Sequence, residues 1–420
     1  MIWFLVACTD PLADDSNPGT VNDSEVDDTA DTGEVADGCA PLDPPELATW
    51  LSPGDDLRAA IDNATAGETL MLNAGTYDVP GNLWIRTPGV TLQGVGADEV
   101  ILDAGRQGGS VVVIAASDVT VAHVTLANAW YHGIHVRPDA AGPVENTLIY
   151  GVHVLDPGEQ AIKINQEGAD YVDQGVIACS RLTLTDEGRP AIRNNCYTGG
   201  IDAHKTRGWH IRDNHIEGFW CDSGLAEHGI HMWRQNADTL IERNEVVNCA
   251  RGIGLGLSET SSGDDRDQNV SDCPDVAYID DFRGTIVNNT VYADASGLFA
   301  SAAGFDSGIA VWNACQATVI HNTVVSTSAP FSSIEYRFAG TTLELKNNLT
   351  SHAIKDRTVT RVVSEGNLTD AGPENFVGGG DLHLVEGSTA LDAGVPVEVT
   401  RDIDGDLRGT PPDVGADERL

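Results

Sequence analysis

One short unit returns along most of this chain: a small residue, an apolar residue, a variable residue, a second apolar residue, then usually a polar or aromatic one. It reads Gly133-Ile-His-Val-Arg137, Ala161-Ile-Lys-Ile-Asn165, Gly200-Ile-Asp-Ala-His204, Gly229-Ile-His-Met-Trp233, Gly252-Ile-Gly-Leu-Gly256, Gly308-Ile-Ala-Val-Trp312 and Ser333-Ile-Glu-Tyr-Arg337. A period of two means strand, and no helical periodicity fills the intervals, so the strands are not linked by crossover helices. A recurrence of some 23 to 30 residues between most units is one coil of a solenoid whose neighbouring strands run parallel. The expected fold is all-β, a single-stranded right-handed parallel β-helix. Ile134, Ile162, Ile201, Ile230, Ile253, Ile309 and Ile334 should stack inward as one column. A second recurring feature, Asn214, Asn244, Asn289, Asn322 and Asn347, is read as a structural ladder of amides bonded at the turns.

A solenoid needs closed ends. Asp55 to Asp62 is apolar at helical spacing with Ser and Asp before it, which predicts a short N-terminal capping helix ahead of Thr69-Leu-Met-Leu-Asn-Ala-Gly-Thr-Tyr77. That order, with Val90-Thr-Leu-Gln-Gly-Val-Gly96, resembles the N-terminal cap of pectate-lyase-like β-helices. Asp381-Leu-His-Leu, Leu391-Asp-Ala-Gly394, Asp402-Ile-Asp-Gly-Asp406 and Asp413-Val-Gly-Ala-Asp-Glu418 are similar to the closing segment of secreted bacterial β-helix proteins. The β-helix is therefore placed over residues 45–420.

Residues 9–44 carry no apolar pattern and, as far as Gly38, no Lys or Arg, so they are expected to be a disordered acidic tether. Before it, residues 1–8 end in Leu5-Val6-Ala7-Cys8, which resembles the lipobox of bacterial lipoproteins. The resemblance implies a truncated signal, lipidation of Cys8, and a place on the cell envelope or in the secreted fraction, with membrane attachment through the lipid only. Seven further cysteines include no CxxC pair, which argues against a zinc–thiolate site. Export permits disulfides, and Cys179 with Cys196 and Cys221 with Cys249 are the expected pairs because each lies about one repeat apart or less. A net charge of −40 excludes a generic nucleic-acid partner. The chain is expected to be monomeric.

Residues between the inward ones point out. They form two columns, His135, Lys163, Asp202, His231, Gly254, Ala310, Glu335, and Arg137, Asn165, His204, Trp233, Gly256, Trp312, Arg337. On an acidic protein this strip is rich in cations and indoles, which suit an anionic sugar chain and its apolar ring faces; the alternative is a solvated sheet face. Long intervals between units, from Ala161 to Gly200 and from Gly252 to Gly308, place extra loops on both sides of the Asp202 and His231 rungs. His204, His228 and His231 gather there with Asp202 and Glu227, which also permits a metal site.

His204-Lys205 and Trp233-Arg234 resemble the Lys and Arg of the alginate lyase and chondroitinase B family. The resemblance implies uronate β-elimination, with Lys205 as base, Arg234 as acid, and His204 and His231 beside them. That family holds calcium with acidic residues five and seven positions before its Lys, where this chain has Gly200 and Thr198. Calcium would then need Asp202 and Glu227 in another arrangement, or Arg137 and Lys163 would neutralise the uronate directly. The Asp402–Asp406 loop is a second, minor calcium candidate; a turn held by Asp side chains is the alternative. Two other functions stay open. A glycoside hydrolase needs paired carboxylates, for which only Asp202 and Glu227 are close enough, since Glu335 lies about 19 Å from Asp202 at roughly 4.8 Å per rung. A non-catalytic carbohydrate-binding, adhesion or envelope-scaffold protein needs no catalytic pair at all.

Overall fold

A computed structural model of the chain describes residues 38–140, 142–261, 263, 266, 273, 276–358 and 361–420. The lipobox ending at Cys8 and the tether as far as residue 37 lie outside them.

Three parallel sheets wind along one axis. Sheet 1 has twelve strands, from Thr49–Leu51 to Arg361–Glu365; sheet 2 has ten, from Gly75–Asp78 to Leu349–Thr350; sheet 3 has ten, from Leu83–Ile85 to Ile354–Asp356. Each coil supplies one strand to each sheet, so every strand pairs with sequence about one coil away. The inward isoleucines stack in register, Ile134 on Ile162, Ile201, Ile230, Ile253, Ile309 and Ile334, with Ile354 as a further member. All seven expected members are fully buried. The glycine before the isoleucine is required by space: a Cβ on Gly229 would meet Val246 at 2.6 Å, and one on Gly133 would meet Val154 at 2.4 Å. Glycine and isoleucine therefore both face the core where sheet 2 turns into sheet 3.

The N-terminal opening is plugged by the helix Leu57–Asn63, which buries Leu57 and Ile61 and is capped by Asp56 accepting from the Ala59 N–H at 2.9 Å. At the other end Phe376, Leu382, Leu384, Ala390 and Val414 build a separate small core with Leu349. In the acidic loop there, Asp402 Oδ1 accepts the N–H groups of Asp404 and Asp406, and Oδ2 accepts that of Glu418. Among the described residues no helix is long and apolar enough to cross a membrane.

Three expectations change. The ladder runs Asn214, Asn244, Asn289, Asn322, Asn348 and Asn367, with amide bonds of 2.8–3.0 Å. Asn348 takes the place assigned to Asn347, because the residue just before each ladder asparagine holds a positive φ; Asn347 occupies that position at 53° and bonds His321 and Val395. The disulfides are Cys39–Cys179, Cys196–Cys221 and Cys273–Cys315, and Cys249 is a buried free thiol. Neither Cys179–Cys196 nor Cys221–Cys249 forms, since a coil brings distant sequence side by side while Cys249 turns into the core. The compact body begins at Cys39. Residues 39–44 are held on the outside of sheet 1, where the Leu42 N–H donates to His123 Nε2 and Tyr150 donates to the Ala40 carbonyl.

Candidate functional site

The outward side of sheet 3 carries the predicted columns, with His135, Lys163, Asp202, His231, Gly254, Ala310 and Glu335 in register. Because Gly229 and Ile230 both turn inward, His228 also faces out, and its ring lies over Gly254, where a Cβ would meet the imidazole at 2.7 Å. His132 faces His135 three units earlier in the same way, with ring centroids 5.1 Å apart. The repeated glycine marks this outward position three residues before the column, a signal that plain alternation hides.

Asp202, fully buried, is the hub. Its Oδ2 accepts from Lys163 Nζ at 2.5 Å and from Tyr197 Oη at 3.3 Å, while Oδ1 accepts from Trp233 Nε1 at 2.6 Å and lies 3.1 Å from His204 Nε2. Lys163 Nζ also reaches Tyr197 Oη at 3.1 Å and His204 Nε2 at 3.0 Å. Burial alone would raise the Asp202 carboxyl, but Lys163 and then His204 hold it well below the usual carboxylate range. Burial lowers His204 and pushes the Tyr197 phenol up, with Asp202 beside it adding to the rise. Tyr197 was missed because it sits on an insertion loop, outside any repeat.

One rung on, Glu227, His228 and His231 converge. His231 stacks on Trp233 with the rings nearly parallel and their centroids 5.2 Å apart, and its Nε2 lies 3.1 Å from the Gly256 carbonyl. Burial, then His231 and Arg251, depress His228. A hydrolytic general acid needs a raised pKa, which Asp202 lacks.

Two loops flank this floor. Cys196–Cys221 ties the 188–198 segment to the 219–226 turn. On the far side Arg266 reaches back to pair with Asp173 and to donate to the Lys205 carbonyl at 2.6 Å. Lys205 is only 2% exposed, at a turn with φ 57°. Arg234, half-buried, lays its guanidinium 4.7 Å over the Trp233 ring. Trp233 thus lies between His231 and Arg234, and Trp312 is buried with its Nε1 donating to Glu335 at 2.7 Å, so neither indole is a bare platform. Arg357 and Ser332 also bind Glu335, while Arg337 lies over Phe338.

Toward the N-terminal end, the same face opens into a cavity of about 470 Å³ lined by Trp84, Tyr131, His132, His135, Arg137, Glu159 and Asn194 among others. His135 bonds Asn165 at 2.7 Å, and Arg137 pairs with Glu167 at 2.5 Å. Burial drives His132 down to about 3 and His135 to about 4, leaving both rings neutral, and it raises Glu159. The sequence pointed to His135, Arg137 and Asn165 here; Trp84 and Tyr131 escaped it because they precede the regular units.

No curated protein matches the chain by sequence. Among solved structures, pectate lyase Pel9A superposes with a TM-score of 0.59 at 14% identity, over 89% of this chain and 96% of that one. The tailspike protein of E. coli bacteriophage HK620 in complex with pentasaccharide gives 0.48 at 12% identity over 78% of this chain and 66% of that chain. An alginate lyase from Paenibacillus sp. gives 0.45 at 13% identity over 76% and 97%. At these identities the likeness is one of fold. The sequence model for the right handed beta helix region matches residues 109–350, more than half the chain, and with three parallel sheets coiled as described, this protein belongs to the right-handed β-helix family.

Proposed function

We propose that this protein, carried on the cell envelope or secreted, holds an acidic polysaccharide along the outward side of sheet 3. The observation that carries the reading is the cavity lined by Trp84, Tyr131 and His135, with His135 in register with Lys163 on the neighbouring strand. Tyr131, 40% exposed, offers a ring face to a sugar. Arg137 and Arg234, both partly exposed, place cations on two levels of the face, suited to the carboxylates of an acidic sugar chain. Polymer binding would be measured by titration calorimetry with pectate, alginate, a glycosaminoglycan and a neutral glucan. One acidic polymer should bind, and Tyr131→Ala and Arg137→Ala should each weaken it by about tenfold, or about 1.4 kcal/mol. No binding to any acidic polymer would end the reading.

Uronate β-elimination is the second reading, favoured by His204, Lys163 and Tyr197 meeting around one carboxylate. A base must come within hydrogen-bond reach of the C5 proton. Lys205, the base that the family resemblance implies, is only 2% exposed, so cleavage through it requires its side chain to become accessible. Ultraviolet absorbance of the unsaturated product, with and without calcium, tests this. A signal abolished by Lys205→Ala and Arg234→Ala supports elimination; binding without a signal leaves a binding protein.

A further inference from the structure

Two groups of described side chains have a metal-binding composition. In the C-terminal group, with Asp404 and Asp417, His383 is already engaged: Nδ1 bonds Asp381 at 2.5 Å and Nε2 bonds Asp404 at 2.8 Å, so both ring nitrogens act as donors to carboxylates. The group on sheet 3 is built differently. One ligand atom from each of Glu227, His228 and His231 lies within 4.8 Å of the other two. His228 is 1% exposed and His231 fully buried, yet both nitrogens of His228, Nδ1 of His231 and Oε2 of Glu227 have no hydrogen-bond partner. His231 Nδ1 and Glu227 Oε2 approach to 3.3 Å, within ion-pair range but without hydrogen-bond geometry.

The surroundings fix these groups. His231 donates Nε2–H to the Gly256 carbonyl, which leaves the Nδ1 lone pair facing Glu227, the arrangement that orients a metal-ligating imidazole. Its ring is held against Trp233. His228 fits only because residue 254 is glycine. Glu227 is set by its own N–H, which donates to the Thr198 carbonyl at 2.9 Å. The neighbouring cation, Arg251, is paired with Asp306 at 3.0 Å.

We propose that Glu227, His228 and His231 form a binding site for one divalent transition metal of the zinc class. Two imidazoles and one carboxylate suit such a metal better than calcium or magnesium, which prefer oxygen ligands, and three protein ligands leave a position for water or another oxygen. The site is independent of the carbohydrate reading, and no sugar enters its test.

The full chain, stripped with a chelator and dialysed against zinc, should retain one zinc per chain by elemental analysis, undisplaced by excess calcium. Cobalt in place of zinc should give the visible absorption of a low-symmetry nitrogen–oxygen site. His228→Ala, His231→Ala and Glu227→Gln should each lose the metal while His383→Ala keeps it. Because a histidine variant can misfold, copper loaded into the unmodified chain gives a second measurement, its paramagnetic resonance showing hyperfine coupling to two nitrogens. Substoichiometric zinc, displacement by calcium, retention in His228→Ala, loss in His383→Ala, or an all-oxygen copper spectrum would each overturn the proposal.

Discussion

Two files of polar side chains run along the coil axis, and they treat burial in opposite ways. In the asparagine ladder every interior amide donates to the next asparagine and to a backbone carbonyl, while its oxygen accepts from the preceding rung. On the outward side of sheet 3 Asp202, His228 and His231 are equally buried, yet the file changes from rung to rung and leaves ring nitrogens and a carboxylate oxygen unpaired. A file serving only the fold repeats one residue and satisfies it; a file serving a ligand varies its residues and keeps atoms in reserve. Burial alone does not separate the two; hydrogen-bond accounting does.

The sharpest break concerns the buried ion pair of the varied file. Lys163→Met leaves the Asp202 carboxylate buried beside no ammonium and should cost about 3–5 kcal/mol near neutral pH, read from urea denaturation. Asp202 has a depressed folded-state pKa, so its stabilisation is present above the unfolded carboxyl pKa and disappears as pH falls through the folded value. The gap between wild type and variant should therefore narrow in acid; a gap that widens in acid would contradict this role for the pair.

Next comes the direct contrast. Asn289→Ala removes the acceptor for both the backbone N–H and the side-chain amide of Asn244, at about 1–3 kcal/mol. His228→Leu in chelator-stripped protein removes nitrogens that have no partner, and should be neutral or stabilising by about 1 kcal/mol. Equal losses from the two substitutions would erase the distinction between the files. The smallest effect belongs to the C-terminal segment, where His383, between Asp381 and Asp404, is raised to about 9. A raised value means stabilisation complete below the unfolded imidazole pKa and lost as pH rises through about 9. His383→Gln should flatten that alkaline slope slightly, the group being partly exposed.

The sequence revealed the coil because five of the seven isoleucines directly follow a glycine that has no room for a Cβ, and that offset also fixed which side chains share the outward columns. The gathering of His204, His228 and His231 near Asp202 and Glu227 was legible for the same reason. Disulfide partners were not, since the coil places Cys39 against Cys179 across 140 residues. The bond from Arg266 to the Lys205 carbonyl was equally invisible, because it depends on an insertion that returns to a turn 61 residues earlier. Repeats encode register; insertions that break the repeat encode what covers it.

The Cys39–Cys179 bridge also decides how the body bears a load. A pull on the chain ahead of residue 39 passes through the bridge into residue 179, bypassing the capping helix and the coils up to that point. Those coils are shielded from extension, so tension enters the solenoid in the coil that leads to Asp202 rather than peeling the cap away.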